Sequence, residues 1–286
     1  MTNCELELID GRTIGYAEWG PPDAPVVLYC HGIPGSHVEA EVNLPTLQQH
    51  ALDVRLVALD RPGFAASTFQ PGRTFLDWPQ DVAQVAEQLG IDRFSVLGVS
   101  GGAPYALAIA HALPECVDRV GLVAAVGPPD APGMDRAAIL GLSGLDPIRR
   151  LQLGMIAFMW RGGREERFIR KSGDQMTDGD RAVLLDPANR RVFVESMRAS
   201  FAQGNKGASY EAGMFARPWG FDPAEVQVET HVWHGGDDRM VPASVGRWLA
   251  ERIPGARGVE WPTLGHFSWT GGETAVDPFK TVAGVA

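Results

Sequence analysis

The 286-residue sequence has few cysteines, no excess of basic residues and no long uninterrupted apolar run. Its three cysteines, Cys4, Cys30 and Cys116, are too few for a disulfide framework and show no spacing typical of a metal site. Lysine and arginine number 25 against 35 acidic residues, and this negative charge disfavours nucleic acids and anionic membrane surfaces as partners. We therefore expect reduced thiols, no metal, and neither of these two partners.

The apolar runs are also too short for a membrane protein. LGMIAFMW, for example, falls well below the roughly 18 residues that cross a bilayer. The N-terminus has no basic start followed by an apolar core, so no secretory signal is predicted and we expect a cytoplasmic protein. Apolar residues at 45% and charged residues at 21% are ordinary for a globular chain and supply a sizeable core.

The first part of the chain alternates between two patterns. A hairpin is predicted over residues 5–19, with its turn at Asp10-Gly11. Apolar strand-like runs then alternate with helical stretches, the strands at 26–30, 55–60, 94–98 and 119–126 and the helices at 44–51, 77–89 and 102–113. This alternation predicts an α/β fold with a mostly parallel sheet covered by helices.

The alternation stops over residues 128–220. This stretch has helical periodicity without a buried strand. Strand-like runs at 231–234 and 257–261, on either side of a helix at 243–252, then resume the first pattern. The sequence thus predicts one α/β domain, residues 1–127 plus 221–286, carrying a helical insertion at 128–220.

The segment from Gly98 to Gly102 reads GVSGG and matches the pattern G-x-S-x-G. It follows a predicted strand directly and precedes a helix rich in small residues, which is the context of a nucleophile elbow. Glycines on both sides let the backbone turn sharply beside its neighbours while Ser100 occupies the strained position. Ser100 is therefore the candidate nucleophile.

A serine nucleophile needs a histidine base, and the base needs a carboxylate that holds its tautomer. In the fold with this elbow, the chain order is serine, acid, histidine. Of seven histidines, only His266 lies beyond the acidic pair Asp237-Asp238, which follows a predicted strand. His266 is thus the candidate base, and either aspartate of the pair is a candidate acid.

Acyl transfer through a serine also requires backbone N–H donors for the oxyanion. One is expected from Gly101, directly after the nucleophile, and the other from the loop after an early strand. That loop reads HGIPGS from His31 to Ser36, and Ile33 is the candidate because Pro34 has no N–H. We expect His31 to brace this loop.

Five segments, YCHGIPGS, LDRPGFAAS, LGVSGGAPYALA, HGGDDRMVP and LGHFSW, together resemble the α/β-hydrolase superfamily over nearly the whole chain. More narrowly, they resemble bacterial members with an HGxPGS oxyanion loop, a DRPGxGxS turn and a helical cap. One departure is that Ala65 and Ala66 stand where that group has a glycine before its serine, here Ser67. The resemblance favours Asp238 over Asp237 as the acid.

The resemblance implies a serine hydrolase with Ser100, Asp238 and His266 as its triad and Ile33 and Gly101 as oxyanion donors. It implies residues 128–220 as a cap over the site. It predicts cleavage of a small or medium hydrophobic ester, thioester or lactone through an acyl-serine, without a cofactor. Serine at the elbow disfavours epoxide hydrolase and haloalkane dehalogenase chemistry, which uses aspartate there.

Alternatives remain open, because one fold hosts several reactions. The same triad supports C–C bond hydrolysis, thioesterase, perhydrolase, lyase or aminopeptidase chemistry, although HGIPG lacks the HGGPG of proline iminopeptidases. A ligand-binding sensor that retains the triad is a further alternative. A small-molecule substrate is expected in each case, and the sequence is compatible with either a monomer or a homo-oligomer.

The cap supplies candidates for an apolar substrate-binding surface. A helical face at 148–159 carries several of them in the spacing of a single stripe. The candidate substrate-binding residues are Met155, Phe158, Met159, Trp160 and Trp219.

Overall fold

In a computed structural model of the chain, the structure describes residues 4–134, 145–160, 164–171, 176–270 and 272–285. Its centre is an eight-stranded sheet in the order β1-β2-β4-β3-β5-β6-β7-β8. The strands are β1 Cys4–Glu7, β2 Thr13–Trp19, β3 Val26–Cys30, β4 Arg55–Leu59, β5 Phe94–Val99, β6 Val117–Val123, β7 Thr230–Gly235 and β8 Arg257–Trp261. The strand β2 is antiparallel to both of its neighbours, β1 and β4, and the other five pairs are parallel, so the predicted hairpin and mostly parallel sheet are confirmed.

Ten α-helices accompany this sheet within the described residues. They are α1 Leu44–Gln49, α2 Trp78–Gln88, α3 Ala103–Ala112, α4 Asp146–Met159, α5 Arg164–Arg170, α6 Asp178–Leu185, α7 Pro187–Ser200, α8 Lys206–Phe215, α9 Ala243–Arg252 and α10 Glu273–Ala283. Helix α10 is not among the helices that the sequence analysis predicts. No helix in the described ranges is both long and apolar enough to cross a bilayer.

The central strands of the sheet are buried on both faces, and for this reason the sequence of β3 does not alternate between polar and apolar residues. Leu28 and Cys30 belong to the apolar cluster that α2, α3 and α9 cover. Val27 and Tyr29 point the other way, into the cluster that α1 and α10 cover. Because successive side chains of a strand alternate between faces, a strand between two helical layers must be apolar throughout.

Helices α4 to α8 lie between β6 and β7 in the chain, and we call these helices, with the described residues that connect them, the helical segment. They add no strand to the sheet in the part of the chain that the structure describes. Contacts between α7 and the short 3-10 helix His37–Asn43 bring the segment over the carboxyl ends of the central strands. The site described below lies between these two parts of the molecule.

Candidate active site

Ser100 lies where β5 ends, in a 3-10 turn over Ser100–Gly102 that leads into α3. Its φ of +50° falls in the left-handed region, which is strained for a residue with a side chain. This conformation turns the chain sharply between strand and helix and leaves the serine half-buried. The backbone therefore has the geometry that the GVSGG pattern predicts for a nucleophile elbow.

His266 and Asp238 reach the same point from the loops after β8 and β7. His266 Nε2 lies 3.0 Å from Ser100 Oγ, and His266 Nδ1 lies 2.7 Å from Asp238 Oδ2. The other carboxylate oxygen of Asp238 accepts hydrogen bonds of 2.9 Å from the backbone N–H groups of Met240 and Val241. A continuous chain of hydrogen-bonding groups thus runs from a buried carboxylate to a serine hydroxyl.

The electrostatics of this pair favour a charged carboxylate beside the imidazole. Burial alone would raise the pKa of Asp238, but the charge on His266 and hydrogen bonds from His234 and His266 outweigh it and lower that pKa. Burial would lower the pKa of His266, but the charge of Asp238 and its hydrogen bond raise it, with smaller contributions from Asp180 and Glu39. The charge on each of these two side chains thus favours the ionised form of the other.

The neighbouring candidate acid is not part of this arrangement. The side chain of Asp237 is 52% exposed and its carboxylate lies 3.7 Å from Arg239. Two other histidines precede the acid in sequence. His234 Nε2 lies 2.9 Å from the Val241 carbonyl and 3.4 Å from Asp238 Oδ2, and His231 Nε2 lies 2.9 Å from the carboxylate of Glu229. The structure therefore brings Asp238 to His266 and leaves Asp237 at the surface.

The backbone of Ile33 lies beside that of Gly101, as the two predicted donors require. A Cβ added to Gly101 would stand 2.5 Å from Ile33 Cγ2 and 3.3 Å from Ile33 N, so only glycine allows this close approach. His31 is fully buried, with Nδ1 2.8 Å from the Gly32 carbonyl. Burial holds the pKa of His31 well below its ordinary value, so this side chain is neutral.

Two buried charged residues to which the sequence analysis gave no role hold the loop from His31 to Ser36. Glu39 Oε1 accepts hydrogen bonds from the Gly32 N–H at 2.9 Å and the Tyr29 hydroxyl at 3.1 Å. Arg61 donates to the carbonyls of His31 at 2.6 Å and Gly32 at 3.0 Å. Arg61 stands in the DRPG segment, so this motif was the signal that sequence reasoning left without a role.

Arg61 is in turn bound to the helical segment. Glu211 on α8 accepts from Arg61 at 2.7 Å, from Arg73 at 2.9 Å and from the Tyr105 hydroxyl at 2.6 Å, with all four side chains buried. Burial would raise the pKa of Glu211, but the two guanidinium charges and the hydrogen bonds lower it to about 2. Glu211 is therefore a charged group in the protein core that links α8 to the loop of Ile33.

A cavity of about 450 Å³ opens above Ser100. The sheet side contributes Ile33, Ser100 and His266 to its wall. The helical segment contributes mainly apolar side chains, which are Ile156, Trp160, Phe168, Met176, Phe193, Ser196 and Met197. The volume and lining suit a small or medium apolar molecule.

Of the five predicted substrate-binding residues, only Trp160 is among those that line this cavity. Met155 and Phe158 are each 58% exposed on the outer face of α4, because that helix turns Leu153 and Ile156 inward instead. Met159 is half-buried away from the lining. Trp219 is buried in the core, with its ring 5.9 Å from that of Phe75.

The described residues hold no group of three or more His, Cys, Asp or Glu side chains arranged to bind a metal ion. The three cysteines are free thiols, with Cys30 buried and the other two half-buried.

The fold and this arrangement are those of an α/β hydrolase. The model of the alpha/beta hydrolase fold family matches residues 25–269, so the chain belongs to this family and is an α/β-hydrolase enzyme. The resemblance inferred from the motifs is thereby confirmed at the level of the superfamily.

Relatives within the family differ in their activities. A bifunctional esterase/perhydrolase of Acinetobacter calcoaceticus is 35% identical over 121 residues, which is 42% of this chain and 43% of that protein, so the match spans less than half of each. A 2-hydroxy-6-oxo-2,4-heptadienoate hydrolase of Pseudomonas putida is 27% identical over 93% of this chain and 92% of that protein. The activities of these two relatives therefore differ from one another.

Solved structures confirm the fold over the full length. An α/β-hydrolase fold protein of Nakamurella multipartita superposes with a TM-score of 0.73 at 21% identity, covering 99% of this chain and all of that one. An esterase of Rhodococcus sp. ECU1013 gives a TM-score of 0.71 at 20% identity, with both chains fully covered. At such identities the likeness concerns the fold alone.

Proposed function

We propose that the protein is a serine hydrolase that cleaves a small or medium hydrophobic carboxylic ester, thioester or lactone through an acyl-serine. The observation that carries this proposal is the chain of contacts from Asp238 through His266 to Ser100, which ends at the floor of an apolar cavity. In this proposal Ser100 is the nucleophile, His266 the general base and Asp238 the acid that orients it. Residues 128–220, which include the helical segment, form the cap over the site.

In the first half of the reaction, Ser100 Oγ attacks the substrate carbonyl carbon and passes its proton to His266 Nε2. The carbonyl π electrons move onto oxygen, where the N–H groups of Ile33 and Gly101 donate hydrogen bonds to the negative charge. The tetrahedral intermediate collapses, the bond to the leaving alkoxide or thiolate breaks, and His266 protonates the departing group. The acyl chain is then esterified to Ser100.

Hydrolysis of the acyl-serine repeats these steps with water as the nucleophile. His266 removes a proton from the water, whose oxygen attacks the acyl carbon, and the same two N–H groups stabilise the second oxyanion. Collapse of this intermediate expels Ser100 Oγ, which takes the proton back from His266. Throughout, Asp238 remains ionised and stabilises the imidazolium, as expected of a carboxylate whose pKa is lowered.

Labelling with a fluorophosphonate tests the nucleophile. We expect stoichiometric labelling of the wild-type protein, none in Ser100→Ala, and a loss of about 10⁶ in kcat for that variant. Ser196 is a matched control, because it is a second serine in the wall of the same cavity, and Ser196→Ala should still be labelled. A folded wild-type protein that resists labelling would refute the proposal, and would favour a ligand-binding role.

A series of p-nitrophenyl esters tests the substrate class. Because the cavity wall contributed by the helical segment is largely apolar, we expect kcat/KM to favour uncharged acyl groups of small or medium length. A preference for peptide or charged substrates would contradict the proposed class.

C–C bond hydrolysis is a second candidate function. A relative that aligns over nearly the whole chain is the P. putida hydrolase of 2-hydroxy-6-oxo-2,4-heptadienoate. Assaying that compound beside the ester series separates the two reactions. A kcat/KM for the dienoate far above that for every ester would replace our proposal with C–C hydrolysis, while still requiring Ser100.

A further inference from the structure

Asp180 lies in the first turn of α6, where it forms a capping box with Thr177. The Asp180 N–H donates to Thr177 Oγ1 at 3.0 Å, and the Thr177 N–H donates back to Asp180 Oδ2 at 3.3 Å. Such reciprocal bonds are common at helix starts, usually at the protein surface. Asp180, however, is only 1% exposed. Its carboxylate is therefore committed to partners beyond its own helix.

Those partners are three consecutive backbone N–H groups of the loop that carries the candidate base. Asp180 Oδ1 accepts from Phe267 at 2.7 Å and from Ser268 at 2.9 Å, and Oδ2 accepts from His266 itself at 3.2 Å. Successive N–H groups that converge on one anion form a nest, which fixes the loop as well as the anion. These hydrogen bonds join Asp180 in the helical segment to a loop that lies 86 to 88 positions further along the chain, after β8.

Gly265 shows how closely the loop encloses this carboxylate. A Cβ added at Gly265 would lie 2.1 Å from Asp180 Oδ2, and the three nearest atoms to it all belong to the Asp180 carboxylate. Any side chain at this position would push the carboxylate or the loop away. The glycine that precedes His266 is therefore explained by a residue of the helical segment and not by the chemistry of the histidine.

The same carboxylate also acts on His266 through its charge. Three acidic groups raise the pKa of the imidazole from three different elements: Asp238 after β7 most strongly, Asp180 on α6, and Glu39 in the 3-10 helix after β3. Asp238 contacts the imidazole ring of His266 directly, whereas Asp180 accepts a hydrogen bond from the backbone N–H of the same residue.

We propose that Asp180 is a positioning residue, which holds the loop of residues 265–268 so that His266 stands between Ser100 and Asp238 only while α6 is docked on the core. This rests on the proposed function of His266 as the base. We call β1 to β8 and the helices other than α4 to α8 the sheet domain. The base is then assembled jointly by the sheet domain and the helical segment. A displacement of the loop by about 1 Å is enough to lower the rate some 10²-fold.

Asp180→Asn tests the contact with little change in shape. The amide can still accept from two N–H groups through Oδ1, but its NH₂ group faces the N–H donors of His266 and Thr177. We expect kcat to fall about 10- to 100-fold, by analogy with partners that orient catalytic ligands. Asp178→Asn is the matched control, because it removes the same charge from the same helical turn at a side chain that is 98% exposed, and it should keep the wild-type kcat.

Titration of the His266 ring by NMR supplies a readout that does not depend on activity. Removing the charge of Asp180 should move this titration to lower pH, and the acid limb of kcat/KM should move with it, whereas Asp178→Asn should change neither. Identical titrations and identical kcat values in Asp180→Asn and the wild-type protein would overturn the inference. Failure of the wild-type protein to react with the fluorophosphonate would instead count against the proposed function.

Gly265→Ala disturbs the same contact from the loop and leaves Asp180 unchanged. It therefore tests the proposal even if the Asp180 variant does not fold. Its methyl group should displace the carboxylate and lower kcat by a similar factor. Because both changes break one contact, the double variant should lose little more than either single one. Fully additive losses would show that Gly265 and Asp180 act independently, and would overturn the proposed role.

Discussion

The sheet domain and the helical segment contribute to the site in different ways. The sheet domain presents the three candidate catalytic side chains just after β5, β7 and β8, at the carboxyl ends of these parallel strands. The helical segment contributes apolar side chains to the cavity wall and two buried carboxylates, Asp180 and Glu211, that cross into the sheet domain. The segment is therefore built into the core as well as covering it.

The buried negative charges of Glu211 and Asp180 are stabilised by different kinds of partner. Glu211 meets two guanidinium groups and a hydroxyl, so its charge is balanced by opposite charges. Asp180 meets backbone N–H groups of the loop at His266 and of its own helix start. Loss of Glu211 should thus leave buried charges unpaired, whereas loss of Asp180 should mainly release a loop.

Apart from loss of the nucleophile itself, the largest effect is expected within the sheet domain, at the acid. In Asp238→Asn the amide cannot hold the imidazole tautomer in which Nδ1 carries the proton, and kcat should fall about 10⁴-fold. The structure offers an adjacent control, because Asp237 is exposed and does not contact His266. Asp237→Asn should change kcat by less than about threefold. A larger loss at Asp237 than at Asp238 in steady-state assays would contradict the assignment.

Most of the sheet domain could be predicted because its signals are local. The strand VVLYC is apolar on both faces, and Gly98 to Gly102 mark a turn whose strain appears as the positive φ of Ser100. Chain order was enough to select His266. The choice between Asp237 and Asp238 was not local, since it depends on which carboxylate the loop after β7 turns inward.

The helical segment was harder to predict because its helices are amphipathic in more than one direction. The stripe of Met155 and Phe158 has regular helical spacing, yet α4 packs through Leu153 and Ile156. Periodicity detects a helix, but the partner surface decides which face is buried. Asp180 and Glu211 were missed for a related reason: an acidic residue on a helix is ordinarily exposed, and only tertiary contacts bury it.

The second largest effect is expected at Glu211, whose ion pairs with Arg61 and Arg73 join the helical segment to the sheet domain. Glu211→Gln would leave Arg61 and Arg73 buried beside a neutral amide, and should cost about 3–5 kcal/mol of unfolding free energy. It should also lower kcat about 10-fold, because Arg61 holds the carbonyls of the loop that carries Ile33. Chemical denaturation and steady-state kinetics measure the two effects.

Glu195→Gln is the control for this variant. Glu195 pairs with Arg191 one turn away on α7, and the side chains of Arg191 and Glu195 are 59% and 41% exposed. Its loss should change the unfolding free energy by no more than about 0.5 kcal/mol. An equal loss of unfolding free energy in Glu211→Gln and Glu195→Gln would mean that the buried ion pairs of Glu211 stabilise the fold no more than a surface ion pair does.

The pH dependence of kcat/KM provides a smaller, graded test of the same comparison. The reaction needs neutral His266, and Asp238 raises the pKa of this imidazole, so the acid limb should have its midpoint above the ordinary histidine value of about 6.5. Below that midpoint the rate should fall about tenfold for each pH unit. Asp238→Asn should move the limb to lower pH, and a wild-type midpoint at or below 6.5 would contradict the electrostatics of the pair.

The smallest effect separates the inner and outer surfaces of the helical segment. Phe193 lines the cavity, whereas Phe158 is exposed on α4 with Arg164 over its ring. Phe193→Ala should therefore raise KM for hydrophobic esters about fivefold, and more for longer acyl chains, because the substrate loses apolar contact area. Phe158→Ala makes the same chemical change outside the cavity and should leave KM within about twofold. If the two variants raised KM equally across the acyl series, the outer face of α4 would also bind substrate, and the distinction between inner and outer surfaces would fail.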